Sequence, residues 1–308
     1  MIQLFYKLTF PRRHTNQNKL HKLFNMFIYA EYLLVGALCN FFLKHFYPKC
    51  KKQLNREKRK DEIIVSMTTI PSRLDTLPLM LKCMFNQSLM PDRIILWITD
   101  KINDRSELLS TLHDEIQAGL EVRFVEDVRV HTKYYYAMLE YPEAIIITVD
   151  DDIIYPENLI QRLYCCHQTH PKCVVAARAH EITTTNETIL PYRQWNMLAP
   201  GTANKSNKLL ATGVGGVLYP PHTLYTDWKD TSLFLKLCPT ADDIWLKLME
   251  RLNNISVVKL DKYTREPFII GKTQTIALSK ANVGEGRNDI LLGQCTRHYH
   301  INAELFRD

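Results

Sequence analysis

No Cys-x-x-Cys pair occurs among the eight cysteines, which sit at 39, 50, 83, 165, 166, 173, 238 and 295. The spacing that marks a structural zinc site or a small disulfide framework is missing, so these thiols read as reduced, in a cytoplasm. Internal repeats and low-complexity tracts are lacking too, which sets aside solenoids and flexible arrays. Acidic residues are almost missing from positions 1–60, where Glu31 and Glu57 face 13 Lys and Arg, a local charge of +11. The other 248 residues hold 26 basic and 31 acidic groups, a local charge of −5. A nucleic-acid groove needs its positive charge on the folded body, so no nucleic-acid partner is expected. The basic N-terminus points to an anionic surface. What is present suits a folded protein: 46% hydrophobic and 23% charged residues over 308 positions, enough for one large α/β domain or two small ones.

From Leu23 to Leu43, 17 of 21 residues are hydrophobic, interrupted by Asn25, Glu31, Gly36 and Asn40. That length allows a helix to cross a bilayer, although Glu31 near its middle is costly and both flanks are basic. A helix lying in the interface is the second reading, with Lys44, Lys49, Lys51, Lys52, Arg56, Lys58, Arg59 and Lys60 drawn to anionic headgroups. The third is an ordinary buried helix. A cleavable secretory signal is not expected, because the apolar run starts late and no small-residue cleavage site follows it.

The charged run Gln53 to Lys60 marks a boundary between an N-terminal segment, 1–60, and a larger domain, 61–308. Beyond it strand-like and helix-like pieces alternate. Strands are expected at Ile63 to Met67, Ile94 to Ile98, Val122 to Val125 and Ala144 to Val149, and helices at Leu77 to Asn86, Leu108 to Gln117 and Tyr134 to Glu140. This is the rhythm of a mostly parallel, Rossmann-like α/β sheet covered by helices on both faces. Ligands of such sheets bind beyond the carboxyl ends of the strands.

The fourth strand runs directly into Asp150, Asp151 and Asp152. Three adjacent carboxylates repel one another and call for positive charge nearby. In extended chain Asp150 and Asp152 point the same way and suit one divalent cation, Mg or Mn, with oxygen ligands and open positions for phosphates. A solvated acidic turn before Pro156 is the plainer alternative. A second pair, Asp242 and Asp243, opens the helical run IWLKLMERL, where the helix macrodipole alone favours acids. The glycines of GVGG at 213–216 lack a Walker lysine and fit no dinucleotide fingerprint.

The stretch TVDDDIIYP resembles the DXD region of bacterial, family 2-like nucleotide-sugar glycosyltransferases of the GT-A fold. MTTIPSRLDTLPLMLKCMFNQSLMPDRIILWI is similar to their first strand, helix and second strand. The likeness continues through FVEDV, HTKYYYAMLEYPEAIIITVDDDIIYPENLIQRL, ATGVGGVLYPP and CPTADDIWLKLM, over about residues 61–300. It implies metal-assisted transfer of a sugar from a nucleotide diphosphate donor to a glycan or lipid-linked acceptor hydroxyl, with inversion at the sugar carbon, at the inner face of a bacterial cytoplasmic membrane. By resemblance Asp150 and Asp152 hold the cation, and Asp151 touches ribose or sugar. Thr68, Arg73, Asp127 and Lys133 contact the donor, Gly215 and Gly216 bring backbone close to it, and Asp243, with Asp242 beside it, is the general base. Arg73 and Lys133 also suit plain surface charges. Trp245, or Trp195, is expected to stack on a sugar, with core packing as the alternative. Asn282, Arg287, Asn288 and Asp289 are expected in a loop over the donor, and His298 and His300 at the surface. A nucleotidyltransferase acting on sugar phosphates, or an inactive membrane-tethered glycan-binding module, are the competing functions.

Overall fold

The computed structural model describes residues 1–10, 19–49, 53–99, 105–197, 199, 204–260, 266–271, 273 and 286–308. Two helices open the chain, α1 (Ile2–Leu8) and α2 (Lys19–His45), followed by β1 (Ile63–Thr68), α3 (Leu77–Met84) and β2 (Arg93–Thr99). Next come α4 (Arg105–Thr111), α5 (His113–Gln117), β3 (Leu120–Val125), α6 (Thr132–Glu140), β4 (Ile145–Thr148) and the short β5 (Ile153–Ile154). The second half contains α7 (Leu159–Thr169), β6 (Val174–Ala176), β7 (Ala179–Glu181), β8 (Leu209–Ala211), β9 (Val217–Tyr219) and α8 (Thr231–Leu237). It ends with α9 (Asp242–Leu252), β10 (Val257–Lys259), β11 (Phe268–Ile269) and α10 (Arg287–His298).

Seven strands form one sheet in the order β10-β6-β9-β4-β1-β2-β3. Its neighbours run parallel except at β9, which lies antiparallel between β4 and β6. β5 pairs with β11 and β7 with β8 in two small antiparallel sheets. β1 shows why its sequence reads as a continuous apolar run. Alternate residues face opposite sides of a strand, so Ile63, Val65 and Met67 enter one hydrophobic layer and Ile64 the other. From β1 the chain moves outward to β2 and β3, then returns to the opposite side of β1 as β4. The β1/β4 boundary is therefore a topological switch point, where the loops after the two strands part and leave a crevice.

The expected α/β class is observed, and the elements read from sequence are present with shifted ends. The helix expected over Leu108 to Gln117 is two helices, because Leu112 turns out of helical geometry at φ −98° and ψ 17° with its side chain fully buried. The N-terminal helices are fastened to the β5–β11 sheet. The Tyr6 hydroxyl donates to the Ile154 carbonyl at 2.7 Å and accepts the Phe268 N–H at 3.0 Å, while the Tyr32 hydroxyl donates to the Pro267 carbonyl at 2.8 Å. Ile28, Cys39 and Leu43 form the packed stripe of α2, whereas Leu23, Met26, Phe27, Leu34 and Phe41 on the same helix are more than half exposed.

Candidate functional site

The acidic triplet follows β4 at the switch point. Asp151 and Asp152 are almost fully buried, and a single side chain from the β1–α3 connection binds both: Arg73 Nη1 lies 2.5 Å from Asp151 Oδ1 and Nη2 lies 3.1 Å from Asp152 Oδ2. The Thr69 hydroxyl donates to the other Asp151 oxygen at 2.6 Å. From the far side, the Ile270 N–H donates to the Asp152 carbonyl at 2.8 Å, and the Asp150 N–H donates to the Tyr155 hydroxyl at 2.9 Å.

Lys133, near the start of α6, joins this triplet to the second acidic pair. Its Nζ lies 2.9 Å from Asp150 Oδ1 and 3.0 Å from Asp242 Oδ2. Two residues from apparently ordinary positions hold α6 there. Ser66, a buried polar residue inside the apolar β1, donates to the Lys133 carbonyl at 2.5 Å and accepts the Trp97 Nε1–H at 2.8 Å. His131 sits fully buried with Nε2 2.8 Å from the Cys238 carbonyl, and burial pushes its pKa down to about 4, so it is neutral. Asp243 accepts the Gly213 N–H at 3.0 Å. A side chain on Gly213 would put its Cβ 2.6 Å from Lys133 Nζ, 3.4 Å from Asp243 Oδ1 and 3.6 Å from Asp150 Oδ1, so that glycine is where the two acidic regions meet.

The electrostatics follow from burial. Asp243 is pushed up to about 7, first by desolvation and then by the charge of Asp242. Asp152 rises to about 6 through burial and Asp150, and Asp151 is raised by burial against the pull of Arg73. Burial works against the Lys133 charge, but Asp150, Asp242 and Asp243 outweigh it and hold its pKa well above the usual lysine range. Five carboxylates thus meet two cations, and the surplus negative charge is what a bound cation would offset. Among the described residues no three His, Cys, Asp or Glu side chains converge as a closed metal cage would. The donor set fits the open kind of site, in which Mg or Mn is held by one or two carboxylates and completed by substrate phosphates.

The other expected site residues fall in several places. Thr68 donates to the Trp97 carbonyl at 2.9 Å, at the carboxyl end of β1; the threonine on the triplet is its neighbour Thr69. Sequence reasoning passed over Thr69 and Ser66, although a hydroxyl inside an apolar strand was a visible signal for the latter. Asp127 accepts the Arg129 N–H at 2.8 Å, where Arg129 takes a positive φ of 58°. Gly215 has Arg178 against it, with an added Cβ meeting the Arg178 backbone nitrogen at 2.8 Å, and Gly216 takes φ +87°. Trp245 is wholly buried in the core with its ring 6.2 Å from Phe234, so the stacking role expected of it gives way to packing. Trp195 is also core, and its Nε1–H donates to the Leu190 carbonyl at 2.7 Å. Arg287, Asn288 and Asp289 start α10 rather than forming a loop, and Asp289 accepts the Tyr192 N–H at 2.6 Å. Asn282 lies outside the described residues. The His298 ring contacts Tyr299 at 4.8 Å, and His300 has a positive φ of 53°.

No protein-family model matches the chain, and no curated protein matches it. Solved structures of similar shape are distant. Staphylococcus aureus TarS 1–349 in complex with UDP has a TM-score of 0.42 at 15% identity, covering 66% of this chain and 59% of that one. The mannosyltransferase PcManGT from Pyrobaculum calidifontis in complex with GDP-Man and Mn2+ has a TM-score of 0.45 at 10% identity, covering 90% and 75%. The inositol-1-phosphate CTP transferase from T. maritima has a TM-score of 0.38 at 11% identity, covering 78% and 98%. The chain thus spans about three fifths of the length of that TarS fragment. In this chain β9 runs antiparallel inside a mostly parallel sheet, and the acidic triplet follows β4. The fold is a mixed α/β one, a mostly parallel seven-stranded sheet flanked by helices. Any activity has to be argued from this chain's own residues.

Proposed function

We propose that the chain is a glycosyltransferase that moves a sugar from a nucleotide diphosphate donor to a hydroxyl of a surface-glycan or lipid-linked acceptor, with inversion at the sugar carbon. The observation that carries this reading is the meeting of two carboxylate groups, 150–152 and 242–243, on the single side chain of Lys133 at the switch point of the sheet. Asp150 and Asp152 would hold Mn or Mg against the donor diphosphate, where the cation supplies neutralisation of the charge that grows as the leaving group departs. Lys133 adds fixed positive charge beside the same position, and Arg73 keeps Asp151 and Asp152 aligned. The Arg73 Nε–H is buried without a partner and remains as a donor for phosphate or ribose oxygen. Asp243, with its pKa near 7, takes the proton of the acceptor hydroxyl as that oxygen bonds to the sugar carbon. The electron pair of the broken sugar–phosphate bond leaves with the nucleoside diphosphate.

α2 supports a place at a membrane. Its Leu23–His45 portion is long and apolar enough to cross a bilayer, and its outer face exposes large hydrophobic side chains. The basic run through Lys60 gives anionic headgroups a counterpart, which suits the inner face of a bacterial cytoplasmic membrane.

The test is incubation of the full chain with UDP- and GDP-sugars and Mn. Release of nucleoside diphosphate, lost together with Mn-dependent donor binding in Asp152→Asn, is the expected result. Release of pyrophosphate from nucleoside triphosphate and sugar phosphate would replace this reading with nucleotidyl transfer. Donor binding without turnover would leave a binding module.

A further inference from the structure

Helix α2 carries two stripes on opposite sides. Tyr32, Gly36, Cys39, Asn40 and Leu43 recur at helical spacing and face the β5–β11 sheet and the core beside it. The fit is close, since a Cβ added at Gly36 would stand 3.2 Å from the Phe268 ring. Leu23, Phe27, Leu34, Leu38 and Phe41 form the opposite stripe, and each is more than half exposed. Glu31 stays off that stripe, half-buried, and its carboxylate accepts the Phe10 N–H from the chain leaving α1 at 3.5 Å. The outer side therefore offers hydrocarbon along about 27 Å of helix, with no acid in its line.

Polar bonds fasten the inner stripe. The Asn40 side-chain amide donates to the Ile269 carbonyl at 2.9 Å and its Oδ1 accepts the Gly271 N–H at 3.0 Å, while Tyr32 bonds the Pro267 carbonyl on the same segment. Between the two Asn40 contacts, the Ile270 N–H donates to the Asp152 carbonyl at 2.8 Å. One backbone segment, 267–271, is thus gripped by α2 from one side and by the acidic triplet from the other. To cross a bilayer, α2 would have to leave this segment and abandon those bonds, or draw it into hydrocarbon, where freed backbone groups find no water.

Charge indicates what covers the outer stripe. Lys7 and Lys44 are exposed on α1 and α2, and residues 1–60 carry a local charge of +11. A second copy of the chain would bring like charge against it, whereas anionic headgroups complement it. We propose that α2 lies flat in the interface of an anionic membrane rather than crossing it, with the acidic triplet one backbone segment away from the membrane-bound helix. The proposal rests on the membrane reading of α2 and does not need sugar transfer.

Depth-dependent quenching tests it, with the full chain bound to vesicles of phosphatidylcholine and phosphatidylglycerol. Leu23→Trp, Leu34→Trp and Phe41→Trp are compared, each against the wild-type signal of the four native tryptophans, in vesicles whose lipids carry bromine near the headgroup or near the chain end. A flat helix gives all three positions the same preference for the shallow bromine. A crossing helix gives Leu34→Trp the deep quencher and the two ends the shallow one; that result overturns the proposal and leaves the membrane reading standing. Absence of vesicle binding, or a dimer in solution that hides these positions, overturns both. The double variant Leu34→Ser, Phe41→Ser changes only exposed side chains, and its affinity for the same vesicles should fall about a hundredfold or more; unchanged affinity would remove the stripe from the contact and overturn the proposal. Leaving out phosphatidylglycerol should weaken binding by about tenfold or more, and equal binding to neutral vesicles would overturn the anionic surface. If the flat profile holds while no nucleoside diphosphate is released, sugar transfer fails alone.

Discussion

Helix α9 carries buried charge at both ends, and the two ends behave differently. At its start Asp242 and Asp243 join three more carboxylates around Lys133 and Arg73, beneath the crevice of the sheet. Toward its end Lys247 and Glu250 are 2% and 1% exposed and face each other at 3.5 Å. There Arg251 donates to the Leu305 and Ile255 carbonyls at 2.9 and 2.8 Å. Burial shifts pKa values at both ends, raising Glu250 to about 7 and lowering Lys247 to about 8, just as it raises Asp243 to about 7. A displaced pKa therefore does not separate a working site from a structural ion pair. The balance of charge does: the closed end pairs its acid with two cations, whereas the open end keeps a surplus of acid that a ligand or retained protons must offset.

Asp243→Asn should break the comparison most sharply. With its base removed, turnover is expected to fall by about 10²- to 10⁴-fold, read as nucleoside diphosphate release at saturating donor, with donor affinity nearly unchanged. The wild-type rate should rise with pH through about 7 as Asp243 loses its proton, and this limb should vanish in the variant. The sign for stability is opposite. The folded protein keeps a proton that the unfolded chain loses between about 4 and 7, so Asp243 makes stability decline as pH rises through that window. Unimpaired turnover in the variant would remove Asp243 from the chemistry.

Two further substitutions compare the ends by stability. Lys133→Met leaves Asp150 and Asp242 without their shared cation and should cost about 3–5 kcal/mol in denaturant unfolding, toward the lower figure because Asp150 retains some access to water. Glu250→Gln removes one charge of the closed pair and should cost about 1–3 kcal/mol while leaving turnover and its pH profile as they are. A changed pH profile in Glu250→Gln would show that the two ends of α9 are coupled, and the contrast drawn between them would fail.

The difference between the ends bears on how much a sequence discloses. β1, β2 and β4 were legible because strands buried on both faces are unbroken apolar runs, and the triplet was legible because its members are adjacent. β3 begins two residues earlier than its sequence suggests, since Leu120 is followed by the charged Glu121 and the alternation hides the start. That Asp242 would meet Asp150 through Lys133 has no local signature, because Lys133 and Asp242 are more than a hundred positions apart and their contact depends on the paths of α6 and α9. Thr69 replaced Thr68 at the triplet because one residue of advance beyond the strand changes the direction a side chain faces. Arg178 against Gly215 was silent for the same reason as the Lys133 bridge.

Trp245 is the smallest test and the one that separates a sugar platform from a core residue. Both roles demand a flat apolar face, so its identity at 245 admits either; its surroundings decide. The ring is fully buried against Phe234 and Tyr299, with centroids at 6.2 and 6.3 Å, and its Nε1–H is buried without a partner. Trp245→Phe therefore gives up volume and no hydrogen bond, and is expected to cost about 1–2 kcal/mol of stability. The KM for acceptor should stay at its wild-type value, because no acceptor can reach a side chain with no exposed surface. A several-fold rise in that KM at unchanged stability would return Trp245 to the acceptor site and would require α9 to shift when substrate binds.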